Sequence, residues 1–163
     1  MTRPAAALGS ILFFLVAPGT VAGLVPWWIT RWDLTGSSLS SMLVGAAAVI
    51  VGLVALAACF SRFAADGSGT PAPVAPTKTL VVTGLYRRVR NPMYLAVSVI
   101  LFGEALLFSS GALIAYGIVI WLAFQIFILS YEEPTLRIVH GDQYTAYCAA
   151  VPRWIPRLRP WSP

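Results

Sequence analysis

Charge is what this sequence has least of. Only 10% of its 163 residues are charged, whereas 58% are hydrophobic and the mean hydropathy is +0.79. A soluble domain carries about 25% charged residues, so this chain cannot cover a water-facing surface, and a bilayer is the expected solvent. Histidine occurs once, at His140, with no second His or Cys at ligand spacing, so no metal is expected. Cysteine occurs twice, at Cys59 and Cys148, far apart and without a C-x-x-C, which reads as two free thiols. The stretch "ADGSGTPAPVAPTK", Ala65 to Lys78, holds a G-x-G but no third glycine and no preceding strand, so it is a flexible polar linker and not a dinucleotide fingerprint. The net charge of +5 does not imply nucleic acid, because the arginines lie beside apolar runs and not on an aromatic-interleaved sheet.

What is abundant is apolar sequence, in four runs: about Leu8 to Ile29, Leu39 to Phe60, Met93 to Phe108 and Ala112 to Ser130. Runs of roughly 17–25 residues cross a bilayer. The first follows Arg3 as a signal peptide would, but it continues past "TVAG" to Trp27-Trp28, which favours a span. Ten of the eleven basic residues fall on one side of such a topology, leaving only Arg31 on the other. An excess of Lys and Arg marks the cytoplasm. The expectation is therefore an all-α, multi-pass protein of the cell membrane with four spans and both termini cytoplasmic. Trp27, Trp28 and Trp32 would form the outer interfacial belt. Residues 1–62 would hold two spans, 63–92 a cytoplasmic linker and cofactor segment, 93–130 a helical hairpin, and 131–163 a cap of short amphipathic helices broken near Gly141. In the second run, Ser41/Gly45 and Ala48/Gly52 are small-xxx-small pairs suited to close helix packing.

The last two spans are joined by "SSGA" and must be antiparallel neighbours. Reflecting the chain about that turn sets Arg90 level with Tyr131 and Glu132, Asn91 with Ser130, and Tyr94 with Phe127. The basic run "YRRVR" and the pair Glu132-Glu133 therefore meet at the cytoplasmic boundary. That meeting fits either an ion pair closing the hairpin or a site for a polar cofactor beside an apolar substrate. Gln125, Ile128 and Glu132 share a helix face expected to point inward. Glu104 lies inside the third run, about 20 Å from Arg90 along the helix, too far to act at the cluster; a structural carboxyl is expected there.

The motifs "TGLYRRVRNPMYLA" and "EEPTLRIVHGDQYTAYCAAVPRWIP" resemble those of the isoprenylcysteine carboxyl methyltransferase and phospholipid methyltransferase superfamily. The matching positions are Gly84 and Tyr86; Arg90, Asn91, Pro92 and Tyr94; Glu132 and Glu133; Gly141, Tyr144 and Tyr147; and Val151, Pro152 and Arg153. The resemblance covers about Lys78 to Pro156. It implies an integral-membrane enzyme that moves a methyl group from S-adenosylmethionine to a lipophilic acceptor. The cofactor contacts it implies are Lys78, Thr79, Leu80, Val81, Tyr86, Asn91, Pro92, Met93, Tyr94 and Glu132. Arg90, Glu132 and Arg153 are the expected catalytic group, with Arg90 orienting Glu132 or the cofactor carboxylate.

Two positions depart from the family pattern. The histidine of R-H-P is Asn91, which cannot titrate near neutral pH. The substrate-holding arginine of the prenylcysteine enzymes is replaced by Ile128, which argues against a prenylcysteine acceptor. Two other classes remain open at the level of sequence. One is an NADPH-dependent membrane reductase, with Arg87 and Arg88 on the 2′-phosphate; the other is a small non-catalytic membrane protein.

Overall fold

The computed structural model describes residues 16–66 and 80–162. Lys78 and Thr79, most of the linker, and the start of the first apolar run lie outside these residues. Every regular element among them is helical. The chain is helical from Val16 and passes through a π-type turn, Thr20–Leu24, into α1, Val25–Thr30. α2 is Leu39–Asp66, α3 is Pro92–Leu107, α4 is Gly111–Phe127 and α5 is Glu133–Ala150. A 3-10 turn, Gly84–Arg87, precedes α3, and a second π-type turn, Ile128–Glu132, joins α4 to α5.

Proline chemistry sets the first kink. In the turn Thr20–Leu24 the Val25 amide bonds five residues back, to the Thr20 carbonyl. The next such bond would run to Val21 from residue 26, which is proline and has no N–H. The Val21 carbonyl instead accepts from the Tyr116 hydroxyl of α4 at 3.0 Å. The orphaned acceptor thus becomes a tether between helices, and Ala22 departs from helical dihedrals beside it (φ −110°, ψ 16°).

α2 and α3 form the most intimate pair. A Cβ added at Gly45 would lie 2.5 Å from the Leu107 amide nitrogen and 2.6 Å from the Gly103 carbonyl oxygen. One added at Gly52 would lie 2.6 Å from Ile100 Cγ1. Both small-xxx-small pairs of α2 therefore contribute a glycine to backbone-close packing. Leu56 and Phe60 of α2 close over Ala96, Val97, Ile100 and Leu101 of α3, with Tyr116 and Phe124 of α4 at the flank. The outer surface is equally apolar: Leu43, Val44, Ile50, Val51 and Val54 of α2, and Val119, Leu122 and Ile126 of α4, are all exposed. Two helical stretches, Leu39–Arg62 and Gly111–Ala150, are long and apolar enough to cross a membrane; α3 is a shorter apolar helix.

Ser110 caps α4 by accepting from the Leu113 amide at 3.3 Å, and this turns the chain back antiparallel to α3. The helical path then runs without a break in dihedrals from α4 through the π-type turn into α5. Pro134 stands in the first turn of α5, the place in a helix that proline suits, and the π-type turn before it absorbs the missing proline N–H. The break expected near Gly141 is present: its φ of 52° and ψ of −125° split α5 into two arms. Tyr144 and Tyr147 of the second arm, with Val151 just past its end, are buried against Leu80, Val82, Leu136 and Trp161. The last residues form no regular element. They lie along Arg87–Arg90 through three backbone bonds: Arg90 N to Pro152 O at 2.9 Å, Arg157 N to Arg88 O at 2.9 Å, and Trp161 N to Arg87 O at 2.8 Å.

Candidate functional site

Where α3 begins and α4 ends, the helices enclose a cavity of about 410 Å³. Its polar lining comes from Tyr86, Arg90, Asn91, Tyr94 and Glu132; Val21, Leu56, Val97, Phe124 and Phe127 supply apolar walls. Local sequence explains how these groups arrive. Gly84 adopts φ +56°, a conformation side chains disfavour, which swings the Gly84–Arg87 turn so that Tyr86 faces inward. Pro92, whose missing N–H suits a helix start, begins α3 directly after Asn91. Tyr94 then stands one residue past Met93 on the first turn, its ring 4.8 Å from that of Phe124.

The two adjacent glutamates have separate partners. Glu133 is buried and pairs with two cations: Arg90 Nη1 donates to its Oε1 at 3.0 Å, and Arg153 donates through Nε at 2.8 Å and Nη2 at 3.1 Å. Glu132 accepts from the Tyr94 hydroxyl at 2.6 Å and has no ion-pair partner among the described residues. Their acidities diverge accordingly. Both lie past the apolar run that ends near Ser130. Burial lifts the Glu132 carboxyl above the usual carboxylate range, against the opposing Tyr94 hydrogen bond. Burial also lifts Glu133, but the Arg153 hydrogen bonds and the charges of Arg90, Arg153 and Arg137 outweigh it and hold that carboxyl below the usual range.

Of the residues read from the sequence as site candidates, Tyr86, Arg90, Asn91, Pro92, Met93, Tyr94 and Glu132 all line the cavity. Leu80 and Val81 do not; Leu80 packs beside Tyr144, Tyr147 and Val151. Arg153 also lies outside the lining, on Glu133, while the Asn91 side-chain amide donates to its carbonyl at 3.4 Å. Arg90, expected to orient Glu132 or the cofactor carboxylate, pairs with Glu133. Arg87 and Arg88 donate to Trp161, Ser162 and Leu158 of the chain's end, not into the cavity. Glu104 is buried within α3, one oxygen without a hydrogen-bond partner among the described residues.

Sequence reasoning missed three participants. Ala17, Pro18 and Val21 bring the first helix into the cavity wall. Cys148 Sγ sits 3.0 Å from Arg90 Nη1. Trp154 Nε1 donates to Gln125 Oε1 at 2.9 Å, which satisfies an amide on the inward face that Gln125 shares with buried Ile128. The Pro18 and Trp154 contacts join segments far apart in the chain, and no periodicity marks them.

The sequence model of one family, phospholipid methyltransferase, matches residues 40–143, well over half of the chain. The chain belongs to the phospholipid methyltransferase family. The match covers α2, α3, α4 and the first arm of α5, and so takes in every cavity residue except the three from the first helix. Comparison with curated proteins gives no match. Family membership makes the protein one of a methyltransferase family acting on membrane lipids, and the two long apolar helices agree with a membrane location.

Proposed function

We propose that this member of the phospholipid methyltransferase family transfers a methyl group from S-adenosylmethionine to a lipid acceptor at the cytoplasmic face of the cell membrane. In this reading the chain crosses the bilayer four times, with both termini in the cytoplasm, as one membrane domain. The observation that carries the proposal is the Glu132 carboxyl, without an ion-pair partner among the described residues, in a 410 Å³ cavity where Arg90 and Arg153 pair with Glu133. A partly buried carboxylate without a counter-charge favours a cationic ligand group.

The residues fit an amino-acid-bearing sulfonium donor. Glu132 would accept from the donor's ammonium. Arg90 Nε is buried with no hydrogen-bond partner among the described residues, and Arg90 lines the cavity, so its guanidinium can meet the donor's carboxylate. The faces of Tyr86 and Tyr94 would lie against positive charge, which an aromatic ring attracts. Bound there, S-adenosylmethionine supplies a methyl group already activated on sulfur. What remains for the protein is to hold both partners in line and exclude water, which the apolar walls of Val97, Phe124 and Phe127 would do. Asn91 would position by hydrogen bonding without taking a proton. Arg153 would act through Glu133, keeping Arg90 at the cavity wall.

Calorimetric titration of S-adenosylmethionine into detergent-purified protein tests this. Wild type should bind, and Glu132→Gln should bind about 10- to 100-fold more weakly, the loss expected for a hydrogen bond to a charged group. Equal affinity would remove Glu132 from the role; no binding by either would remove the donor. Incubation with methyl-labelled donor and phospholipid vesicles should place label in the amine-headgroup lipid.

A further inference from the structure

The last twelve described residues contain a loop with unusual constraints. Its near end is fixed at the start of α3 by the Pro152 carbonyl on Arg90 N and the Arg153 carbonyl on the Asn91 amide. Its far end is fixed by Arg157 N on the Arg88 carbonyl, with Arg88 Nη1 donating to the Leu158 carbonyl at 2.6 Å. Between these clamps Trp154 leans back along α4. It bonds Gln125 and lies 5.9 Å from the Trp121 ring. Gln125 stands seven residues before Glu132, about 10 Å deeper along the helix, and Trp121 about 16 Å deeper. A tail read as cytoplasmic thus sends a tryptophan to the depth of the apolar run.

Its neighbours carry apolar surface that no other described residue covers. Ile155 is 78% exposed and Leu158 is 90% exposed. Arg159, also exposed, follows directly and would stand at headgroup level. An apolar pair beside a tryptophan, with arginine above, is the composition of a segment seated in the membrane interface.

We infer that Trp154–Leu158 is a wedge inserted into the cytoplasmic leaflet, with Ile155 and Leu158 among acyl chains and Arg159 against lipid phosphates. The inference rests on the bilayer reading of the α3–α4 hairpin proposed above. The wedge has a consequence for the cavity. The clamps that hold it are on Arg88, Arg90 and Asn91, and the last two line the cavity. Lipid contact therefore steadies the cavity's polar wall from outside.

Cysteine reactivity in phosphatidylcholine vesicles tests the wedge. N-ethylmaleimide reaches both sides of the vesicle, and a thiol in hydrocarbon does not ionise. The variants are Ile155→Cys, Leu158→Cys, the water-facing control Asp142→Cys and the mid-helix control Val119→Cys, each read by intact mass against the wild-type background from Cys59 and Cys148. Ile155→Cys and Leu158→Cys should react at least about tenfold more slowly than Asp142→Cys, because only the thiolate reacts, and Val119→Cys should be equally protected. If Val119→Cys is protected but Ile155→Cys and Leu158→Cys react as fast as Asp142→Cys, the wedge is refuted and the hairpin reading stands. If Val119→Cys also reacts fast, the bilayer reading fails and the wedge with it.

Discussion

Glu132 and Glu133 share a backbone and a side-chain type, yet their environments give them opposite pH behaviour. For Glu133 the folded carboxyl is held below its unfolded value. Its contribution to stability is therefore complete above the ordinary carboxylate range and is lost as pH falls through the depressed folded value. Glu133→Gln should cost about 3 kcal/mol near neutral pH, the price of leaving Arg90 and Arg153 without their buried partner. It should also flatten the acid limb, as measured by denaturant unfolding in detergent at neutral and acidic pH. Glu132 is raised. Its ionised form opposes folding as pH rises through the unfolded value, and a bound cation relieves that opposition. Donor affinity should accordingly fall as pH drops below the raised Glu132 value, whereas a Glu132→Gln protein should lack that dependence. Reflection across the hairpin placed Arg90 beside this pair of acids. It could not say which acid would take the arginine, because that depends on how the π-type turn rotates each side chain.

Helix pairing shows how legible the elements were. The apolar runs located α3 and α4 to within three residues and the start of α2, which continues six residues past its run to Asp66, since long one-solvent helices need only hydropathy and a turn such as "SSGA" to be found. The glycines of α2 were legible as packing residues, and their partner in the structure is α3. Gly45→Ala should destabilise the protein by about 1–3 kcal/mol, because the new methyl would meet backbone atoms of Leu107 and Gly103 that cannot swing aside. Gly111→Ala, where a Cβ meets nothing within 4 Å, should be neutral or slightly stabilising. Thermal unfolding of both variants in one detergent would separate the two outcomes. The junction between α4 and α5 was less legible. Pro134 reads as a start signal in any local window, and only the continuous dihedrals from Phe127 to Glu133 reveal that the chain passes through it.

At the scale of the whole molecule, the cavity is built by parts that sequence distance conceals. The first helix, the α3–α4 hairpin and the chain's last residues all converge on Tyr86–Tyr94, and only the hairpin announces itself by pattern. α3 adds a constraint of a different kind. It has 16 residues, Pro92–Leu107, and spans about 24 Å, whereas bilayer hydrocarbon is about 30 Å thick. α2, with 28 residues, has length to spare. If both cross the membrane, hydrophobic mismatch falls on the face that α3 presents, and the bilayer thins there at a cost of a fraction of a kcal/mol per Å. Thermal stability should be higher in vesicles of 14-carbon lipid chains than in those of 22-carbon chains. A lipid headgroup in the thinned patch would ride lower than its neighbours, already part-way toward the cavity at the start of α3.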